Sequence, residues 1–224
     1  MIGATGGIGS AIVNQLRARP MFAEVVSFSR SSSPPVDLSD EASIARAAEA
    51  VRADGRAVRF VFDATGVLHD GEGLQPEKTH GQIDPETMAR AFAVNAIGPA
   101  LLMKHFLPLL PREGKSVFAT LSAKVGSIGD NHIGGWYSYR ASKAALNQLV
   151  RTASVELARR QPQAICLALH PGTVATSLSE PFAKRGLQVR TPAEAAAGLV
   201  DVIERAGPND NGTFRHADGS TLPW

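Results

Sequence analysis

Gly3-Ala4-Thr5-Gly6-Gly7-Ile8-Gly9 stands near the start of the chain, and an amphipathic helix pattern over Ile8–Ala18 begins within it. Glycines at this spacing allow a tight turn, a close approach of the backbone to a pyrophosphate and close packing of a helix against a strand. The free N–H groups and the positive dipole end of the helix favour phosphate binding. Because glycine spacing alone is a weak pattern, an ordinary glycine-rich turn stays open as the alternative.

Short apolar runs alternate with longer helical patterns along the rest of the chain. Strands are predicted at Val25–Ser29, Ala57–Asp63, Ser116–Leu121 and Ala164–His170. Helices are predicted at Ile8–Ala18, Glu41–Ala53, Pro85–Leu109, Tyr139–Arg160 and Pro192–Arg205. Thr191 and Glu194 form a capping box at the start of the last helix. Since continuous apolar strands suit the interior of a parallel sheet, the order predicts a doubly wound, Rossmann-type α/β fold with helices on both faces.

The composition is that of an ordinary globular protein and excludes several classes of function. The 224 residues are 44% hydrophobic and 20% charged, which is enough for one large core and predicts a single domain over residues 1–224. The 23 basic and 21 acidic residues leave a net charge of +2, without the basic tract of a nucleic-acid binder. Cys166 is the single cysteine, and no Cys/His cluster has zinc spacing. We expect a cytoplasmic protein without metal, membrane or nucleic-acid partners.

The first strand of the expected sheet has little sequence to form it. Only Met1 and Ile2 precede Gly3, whereas a usual strand has about five or six residues. In a doubly wound sheet this strand is central and delivers the glycine loop to the pyrophosphate. We therefore expect a truncated first strand, and a natural product that begins several residues upstream with an apolar, β-branched run.

Tyr139 and Lys143 lie four residues apart in a helix pattern, so that both side chains project from one face. An ammonium near a phenol favours the phenolate and lowers the pKa of the tyrosine, which then acts as a general acid or base near neutral pH. The pair follows a glycine-rich loop after a predicted strand, where ligands bind in open α/β sheets. Taken alone, the spacing is common by chance and favours an exposed pair on a helix.

These residues resemble the classical short-chain dehydrogenase/reductase family at five ordered positions that cover nearly the whole chain. The matches are the glycine loop at Gly3, Gly7 and Gly9, the strand end Asp63-Ala64-Thr65-Gly66, Asn95, the Tyr139–Lys143 pair and Pro171-Gly172-Thr173-Val174-Ala175-Thr176. Asp63 stands where the family usually has asparagine. The segment Gly134–Lys143 and the terminal Leu222-Pro223-Trp224 resemble the C-factor and sniffer-type carbonyl reductases within that family.

The resemblance implies hydride transfer between a nicotinamide and a carbonyl or alcohol carbon. The catalytic residues would be Tyr139, Lys143, Ser122 and Asn95. Tyr139 would donate the proton in reduction, and Lys143 would hold the nicotinamide ribose and lower the pKa of Tyr139. Asn95 would anchor a water that connects Lys143 to a proton relay.

The catalytic serine is the position where the chain departs from the family pattern. The family strand end is usually Ser-Ser-x-x-Gly with the second serine catalytic, and strict alignment places Ala123 there. Adjacent residues of a strand face opposite sides, so that Ser122 requires a bulge or local turn to take the role. We predict that Ser122 orients the carbonyl, and Ser127 is the alternative.

The resemblance also implies which residues bind the cofactor. They are Gly3, Thr5, Gly6, Gly7, Ile8, Gly9, Ser29, Arg30, Asp37, Leu38, Ala64, Thr65, Gly66, Asn95, Tyr139, Lys143, Pro171, Gly172, Val174 and Thr176. NAD-specific sites commonly place a carboxylate at the end of the second strand, but the chain has Ser29 and Arg30 there. A hydroxyl and a guanidinium suit a 2′-phosphate, so we predict NADP in preference to NAD.

Fold does not by itself determine function, so a second class of function stays open. The chain could be a non-catalytic NAD(P)-binding signalling or sensor protein of the C-factor type. In either case the resemblance implies a homodimer or homotetramer formed by Pro85–Leu109 and Tyr139–Arg160. The candidate contact residues are Leu101, Leu102, Leu146 and Leu149. The walls of a pocket for a small-molecule carbonyl or alcohol substrate are expected in Ser127–Trp136 and Ser177–Arg190.

Overall fold

The structure, a computed structural model, describes residues 1–71, 73–182 and 189–224. The helices in these ranges are α1 Gly7–Ala18, α2 Glu41–Ala53, α3 Pro85–Phe92, α4 Gly98–Phe106, α5 Tyr137–Arg160 and α6 Pro192–Arg205. The strands are β1 Phe60–Asp63, β2 Ser116–Leu121, β3 Ala164–His170, β4 Thr173–Val174, β5 Val189–Arg190 and β6 Thr213–His216. β1, β2, β3 and β6 form a parallel sheet in the order β1-β2-β3-β6, and β4 pairs with β5.

Both faces of the sheet are covered by helices, which confirms the predicted α/β class. Phe118 and Cys166 pack on one face with residues of α2, α4 and α5. Their neighbours Ala119 and Leu167 pack on the other face with residues of α1 and α6. Because successive strand residues face opposite sides, both core clusters draw on β2 and β3, which are buried nearly throughout. The continuous apolar runs follow from this double burial.

At the edge beside β1, the chain pairs only over a short distance. Ile2 forms one parallel bridge to Phe28 and one to Asp63. The prediction of a strand over Val25–Ser29 is therefore wrong except at Phe28, and the predicted strand Ala57–Asp63 begins only at Phe60. A cavity of about 570 Å³ lies between these two segments. Since a strand ladder requires a neighbouring backbone, pairing stops where this cavity begins.

The predicted helix Pro85–Leu109 is divided in the structure. A π-helical turn, Ala93–Ile97, joins α3 to α4, and a 3₁₀ turn, Leu107–Leu109, follows α4. Among the described residues, Pro85–Leu109 is the only helical stretch that is long and apolar enough to cross a membrane, judged by its length and composition. Its mean hydropathy is 1.3. Leu102 and Phe106 are nevertheless buried against the sheet. We therefore interpret Pro85–Leu109 as part of the core. The π-helical turn Ala93–Ile97 is relevant to function because such turns often occur at functional positions.

Candidate active site

The glycine loop and the start of α1 have the geometry of an anion-binding turn. Gly3 has φ +76°, in the left-handed region that favours glycine. A Cβ at Gly9 would lie 2.0 Å from the Gly3 carbonyl oxygen, so a side chain there would force the loop open. α1 begins at Gly7 with no side-chain cap, which leaves first-turn N–H groups for a ligand. The Thr176 methyl group lies 3.0 Å from a Cβ placed at Gly7, so the predicted loop and the Pro171–Thr176 motif meet.

A second predicted segment, Ser29–Ser32, forms a tight turn after Phe28. The Ser29 N–H donates to Ser32 Oγ at 2.9 Å, and the Ser31 N–H donates to Ser29 Oγ at 3.2 Å. These bonds hold the turn closed and leave the Arg30 side chain exposed. Nearby Asp37 accepts hydrogen bonds from the hydroxyl and the N–H of Ser39, which lower the pKa of its carboxyl together with the charge of Arg30. The turn therefore offers a guanidinium and hydroxyls at the predicted position of the adenosine ribose.

Asp63 ends β1 as a fully buried carboxyl group. Its Oδ1 accepts hydrogen bonds from Thr65 N at 3.0 Å and Thr65 Oγ1 at 2.5 Å, and its Oδ2 accepts one from Thr120 Oγ1 at 2.7 Å. The pKa of Asp63 is raised overall, because burial outweighs these hydrogen bonds and the charge of Lys143, which act in the opposite direction. Three donors meeting two acceptor oxygens is the arrangement that stabilises an ionised carboxylate. The bonds also fix the loop that leads from β1 to Gly66.

Asn95 lies in the π-turn and is completely buried. Its Oδ1 accepts a hydrogen bond from Val67 N at 2.8 Å, and its Nδ2 donates to Val67 O at 2.8 Å and to Ser142 Oγ at 3.2 Å. A Cβ at Gly66 would lie 3.3 Å from both Asn95 Oδ1 and Lys143 Nζ. The structure thus brings together three predicted site residues that are far apart in sequence.

Burial changes the acid–base behaviour of the Tyr139–Lys143 pair. Lys143 Nζ donates to Leu121 O at 2.9 Å and lies 6.0 Å from the centroid of the Tyr139 ring. Burial lowers the pKa of Lys143 to about 8, although the carboxylate of Asp63 raises it. Burial raises the pKa of Tyr139 above its usual range, which is the opposite direction from the lowering expected beside Lys143. The phenol is therefore protonated at neutral pH.

The two candidate serines are already engaged in hydrogen bonds. Ser122 is buried at the end of β2, and its hydroxyl donates to Asn147 Oδ1 at 2.6 Å. The hydroxyl of Ser127 donates to the carbonyl oxygen of Trp224 at 3.2 Å. A substrate carbonyl would need one of these protons, so either serine must first exchange its partner.

Glu77, beside Tyr139, was missed by the sequence analysis, whereas Trp136 lies at the end of the expected pocket wall Ser127–Trp136. The carboxylate of Glu77 is buried and accepts hydrogen bonds from the N–H, at 3.1 Å, and the hydroxyl of Ser138, and its carbonyl oxygen accepts the Trp136 N–H. Trp136 precedes α5 with φ +54°, which costs of order 1–3 kcal/mol for a residue with a side chain. Glu77 therefore caps a helix whose own N-cap residue makes no side-chain bond. Gly134-Gly135 signals the turn, but no local pattern identifies Glu77.

The expected pocket wall Ser177–Arg190 is only partly described, because residues 183–188 lie outside the described residues. His69 Nε2 lies 3.1 Å from Ser177 O, which joins this wall to the loop after β1. Phe182, at the end of the 3₁₀ turn Glu180–Phe182, packs against Trp136. Both predicted walls therefore meet near Tyr139.

A glycine loop at a helix N-terminus, with a tyrosine and a lysine beyond the carboxyl ends of parallel strands, defines a dinucleotide-binding oxidoreductase. The sequence profile of the family described as Enoyl-(Acyl carrier protein) reductase matches residues 4–204. The chain belongs to the short-chain dehydrogenase/reductase family, as its motifs predicted.

Known relatives support the same assignment over the full length of the chain. It is 33% identical over 233 residues to 1-hydroxy-2-glutathionyl-2-methyl-3-butene dehydrogenase of Rhodococcus sp. (strain AD45), covering 100% of this chain and 98% of the relative. It is 36% identical over 145 residues to C-signal of Myxococcus xanthus, covering 64% of this chain and 82% of that protein. The NADPH-bound carbonyl reductase from chicken fatty liver has the same fold, with a TM-score of 0.85, 26% identity and coverage of 100% of this chain and 97% of that chain.

Proposed function

We propose that this protein is an NADP-dependent carbonyl reductase in which Tyr139 supplies the proton. The observation that carries the proposal is the convergence of Lys143 Nζ and Asn95 Oδ1 on Gly66, with Tyr139 on the same face of α5 as Lys143. Groups from three separate segments meet at the carboxyl edge of the sheet, where a bound substrate and nicotinamide would lie.

The described residues fit a dinucleotide. The uncapped first turn of α1 suits the pyrophosphate, and Gly9 packs directly against the Gly3 carbonyl oxygen, which keeps the loop tight at that turn. NADP is supported over NAD because the exposed Arg30 guanidinium, presented by the closed turn Ser29–Ser32, complements a 2′-phosphate. The nicotinamide, when bound, supplies the hydride.

The protein's own part of the reaction is to hold and deliver the proton. Because the pKa of Tyr139 is raised, its phenol is protonated at neutral pH and can donate to the forming alkoxide. The Lys143 ammonium then stabilises the phenolate that remains. Asn95 keeps the loop at Val67 in place through its paired hydrogen bonds. Ser122 orients the carbonyl only if its hydroxyl turns away from Asn147.

The experiment that tests this function is turnover of NADPH with a panel of aldehydes and ketones, and of NADP⁺ with alcohols. One alcohol should carry a glutathionyl group, since the name of the Rhodococcus relative describes such a substrate. Turnover with at least one compound, faster with NADPH than with NADH, is the expected result. NADPH binding without turnover of any compound favours the alternative, a signalling or sensor protein like C-signal. The observation that supports this alternative is that the hydroxyls of Ser122 and Ser127 already donate hydrogen bonds within the protein.

We also propose that the protein assembles as a homodimer or homotetramer through α4 and α5, and that it acts in the cytoplasm on a small-molecule substrate. Leu102 and Leu146 are completely buried within the core, so they are not available for such an interface. Leu101 and Leu149 are only partly buried and remain candidates.

A further inference from the structure

Trp136 holds a backbone conformation that is unfavourable for its residue type. Among the described residues it is the only non-glycine residue with a positive φ, and it follows Gly134 and Gly135, which have φ values of +70° and +66°. The carbonyl oxygen of Glu77 holds its N–H, and Arg140 N–H donates to its carbonyl oxygen. Glycine would adopt this conformation without strain. The presence of an indole at this strained backbone position therefore indicates that the Trp136 side chain has a functional role.

The indole belongs to a row of four rings that leads away from Tyr139. Trp136 meets the Tyr139 ring edge-to-face, with centroids 6.1 Å apart, and meets Phe182 at 5.2 Å. Phe182 in turn meets the imidazole of His69 at 5.5 Å. The bond between His69 and Ser177 holds the far end of the row. The row links three segments of the chain across the face of the site.

The exposure of these rings indicates what they bind. Trp136, Phe182 and His69 are each only half-buried, although aromatic rings gain most from full burial. The four members are aromatic rings, and the Lys143 ammonium lies at the Tyr139 end of the row, 6.0 Å from the centroid of that ring. A flat apolar group of a ligand would cover the remaining ring surface beside the Tyr139 phenol, and the gain would come from burial and ring contact.

We infer that Trp136 and Phe182 form the specificity wall of the site and select carbonyl compounds that carry an aromatic group over short aliphatic ones. The inference rests on the proposed carbonyl reductase function. It assigns the aromatic group of the substrate to the row and its carbonyl oxygen to Tyr139.

Kinetics of Trp136 variants with NADPH test the inference, with benzaldehyde and propanal as the two substrates. Trp136→Gly removes the indole and relaxes the backbone, Trp136→Phe keeps a ring, and Tyr137→Ala is the control, because that neighbouring aromatic side chain is 37% exposed. We expect Trp136→Gly to lower kcat/KM about tenfold for benzaldehyde and less than about threefold for propanal. Trp136→Phe should fall between wild type and Trp136→Gly. Equal losses for both substrates, or no loss, would overturn the inference.

A binding measurement separates this inference from the proposed function. The chain has two tryptophans, so Trp224→Phe leaves Trp136 as the single indole, and Trp136→Phe leaves Trp224 to report collisional quenching. With NADP⁺ present, benzaldehyde cannot be reduced, and we expect saturable quenching in Trp224→Phe only. Propanal should produce none. Saturable quenching by benzaldehyde, with no turnover of any compound of the panel, supports the aromatic wall and defeats the reductase proposal. Turnover of a panel compound without saturable quenching by benzaldehyde supports the reductase proposal and defeats the aromatic wall.

Discussion

Tyr139 and Lys143 show how one physical cause acts oppositely on two neighbouring residues. Burial disfavours the charged form of each, so it raises the pKa of the phenol and lowers the pKa of the ammonium. The phenol of Tyr139 is consequently protonated at neutral pH, and Lys143 is a cation whose charge is lost when the pH rises moderately. Both consequences lead to measurable predictions.

Tyr139→Phe removes the transferable proton and nothing else in the site. We expect kcat for carbonyl reduction to fall about 10²–10⁴-fold, because a positioned acid contributes about that much. The dissociation constant of NADPH, measured by fluorescence titration, should stay within about twofold, since the ring is retained. Tyr137→Phe, in the same turn, should behave as wild type. Near-wild-type turnover in Tyr139→Phe would remove that residue from the mechanism.

The rate of reduction should decrease as the pH rises through about 8, the pKa of Lys143, because the ammonium is lost above that value. Asp63 raises this pKa through its negative charge, so Asp63→Asn should move the alkaline limb of the kcat profile to lower pH. Asparagine has the same shape, its Oδ1 can still accept the hydrogen bonds of Thr65, and its Nδ2 can donate to the Thr120 hydroxyl once that hydroxyl rotates. An alkaline limb at the same pH in both proteins would show that Asp63 does not act on Lys143.

Arg30→Ala should weaken binding of NADPH about tenfold to a hundredfold, since a hydrogen bond to a charged group contributes about 1.5–3 kcal/mol. Binding of NADH should remain unchanged, because it carries no 2′-phosphate. Arg17→Ala serves as the control, as it removes an exposed arginine at the far end of α1. If both cofactors lose affinity equally, Arg30 supports the turn and does not bind the phosphate.

At the scale of elements, the bond between Ser122 and Asn147 ties the end of β2 to the middle of α5. Ser122→Ala leaves Asn147 Oδ1 buried without this donor, and we expect a loss of about 1–3 kcal/mol in the free energy of unfolding. Denaturant titration measures this, and kcat with the preferred substrate should change less than about tenfold. A much larger loss of kcat with unchanged stability would instead assign the carbonyl-orienting role to Ser122.

At the scale of the whole molecule, α4 and α5 border a surface groove of about 1020 Å³ whose lining includes Leu107, Leu149 and Ala153. The lining also includes charged residues such as Arg112, Glu156 and Arg160. A groove along two helices with both apolar and charged residues suits a two-fold interface with a second copy of the chain. Light scattering at micromolar concentration should report a dimer or tetramer. Ala153→Arg places a charge in the groove and should produce a monomer, whereas Val155→Arg, at an exposed position of α5 outside the groove lining, should not. A monomeric wild-type protein would overturn the expected assembly.

Local patterns in the sequence determined the elements and the family. The predicted bounds of α2, α6, β2 and β3 match those of the structure, because caps and continuous apolar runs are properties of neighbouring residues. The capping box of Thr191 and Glu194 is present as predicted. Glycine spacing and the Tyr139–Lys143 pair identified the family for the same reason.

Contacts between distant residues decided what the patterns could not. Pairing at Phe28 depends on Ile2, the hydroxyl of Ser122 is held by Asn147, and the cap of α5 comes from Glu77, 61 positions before Ser138. The pKa of Tyr139 depends on how much protein surrounds the phenol, which no spacing of residues reveals. Sequence periodicity reports which face of an element is buried, but only tertiary packing decides which group a polar atom meets there.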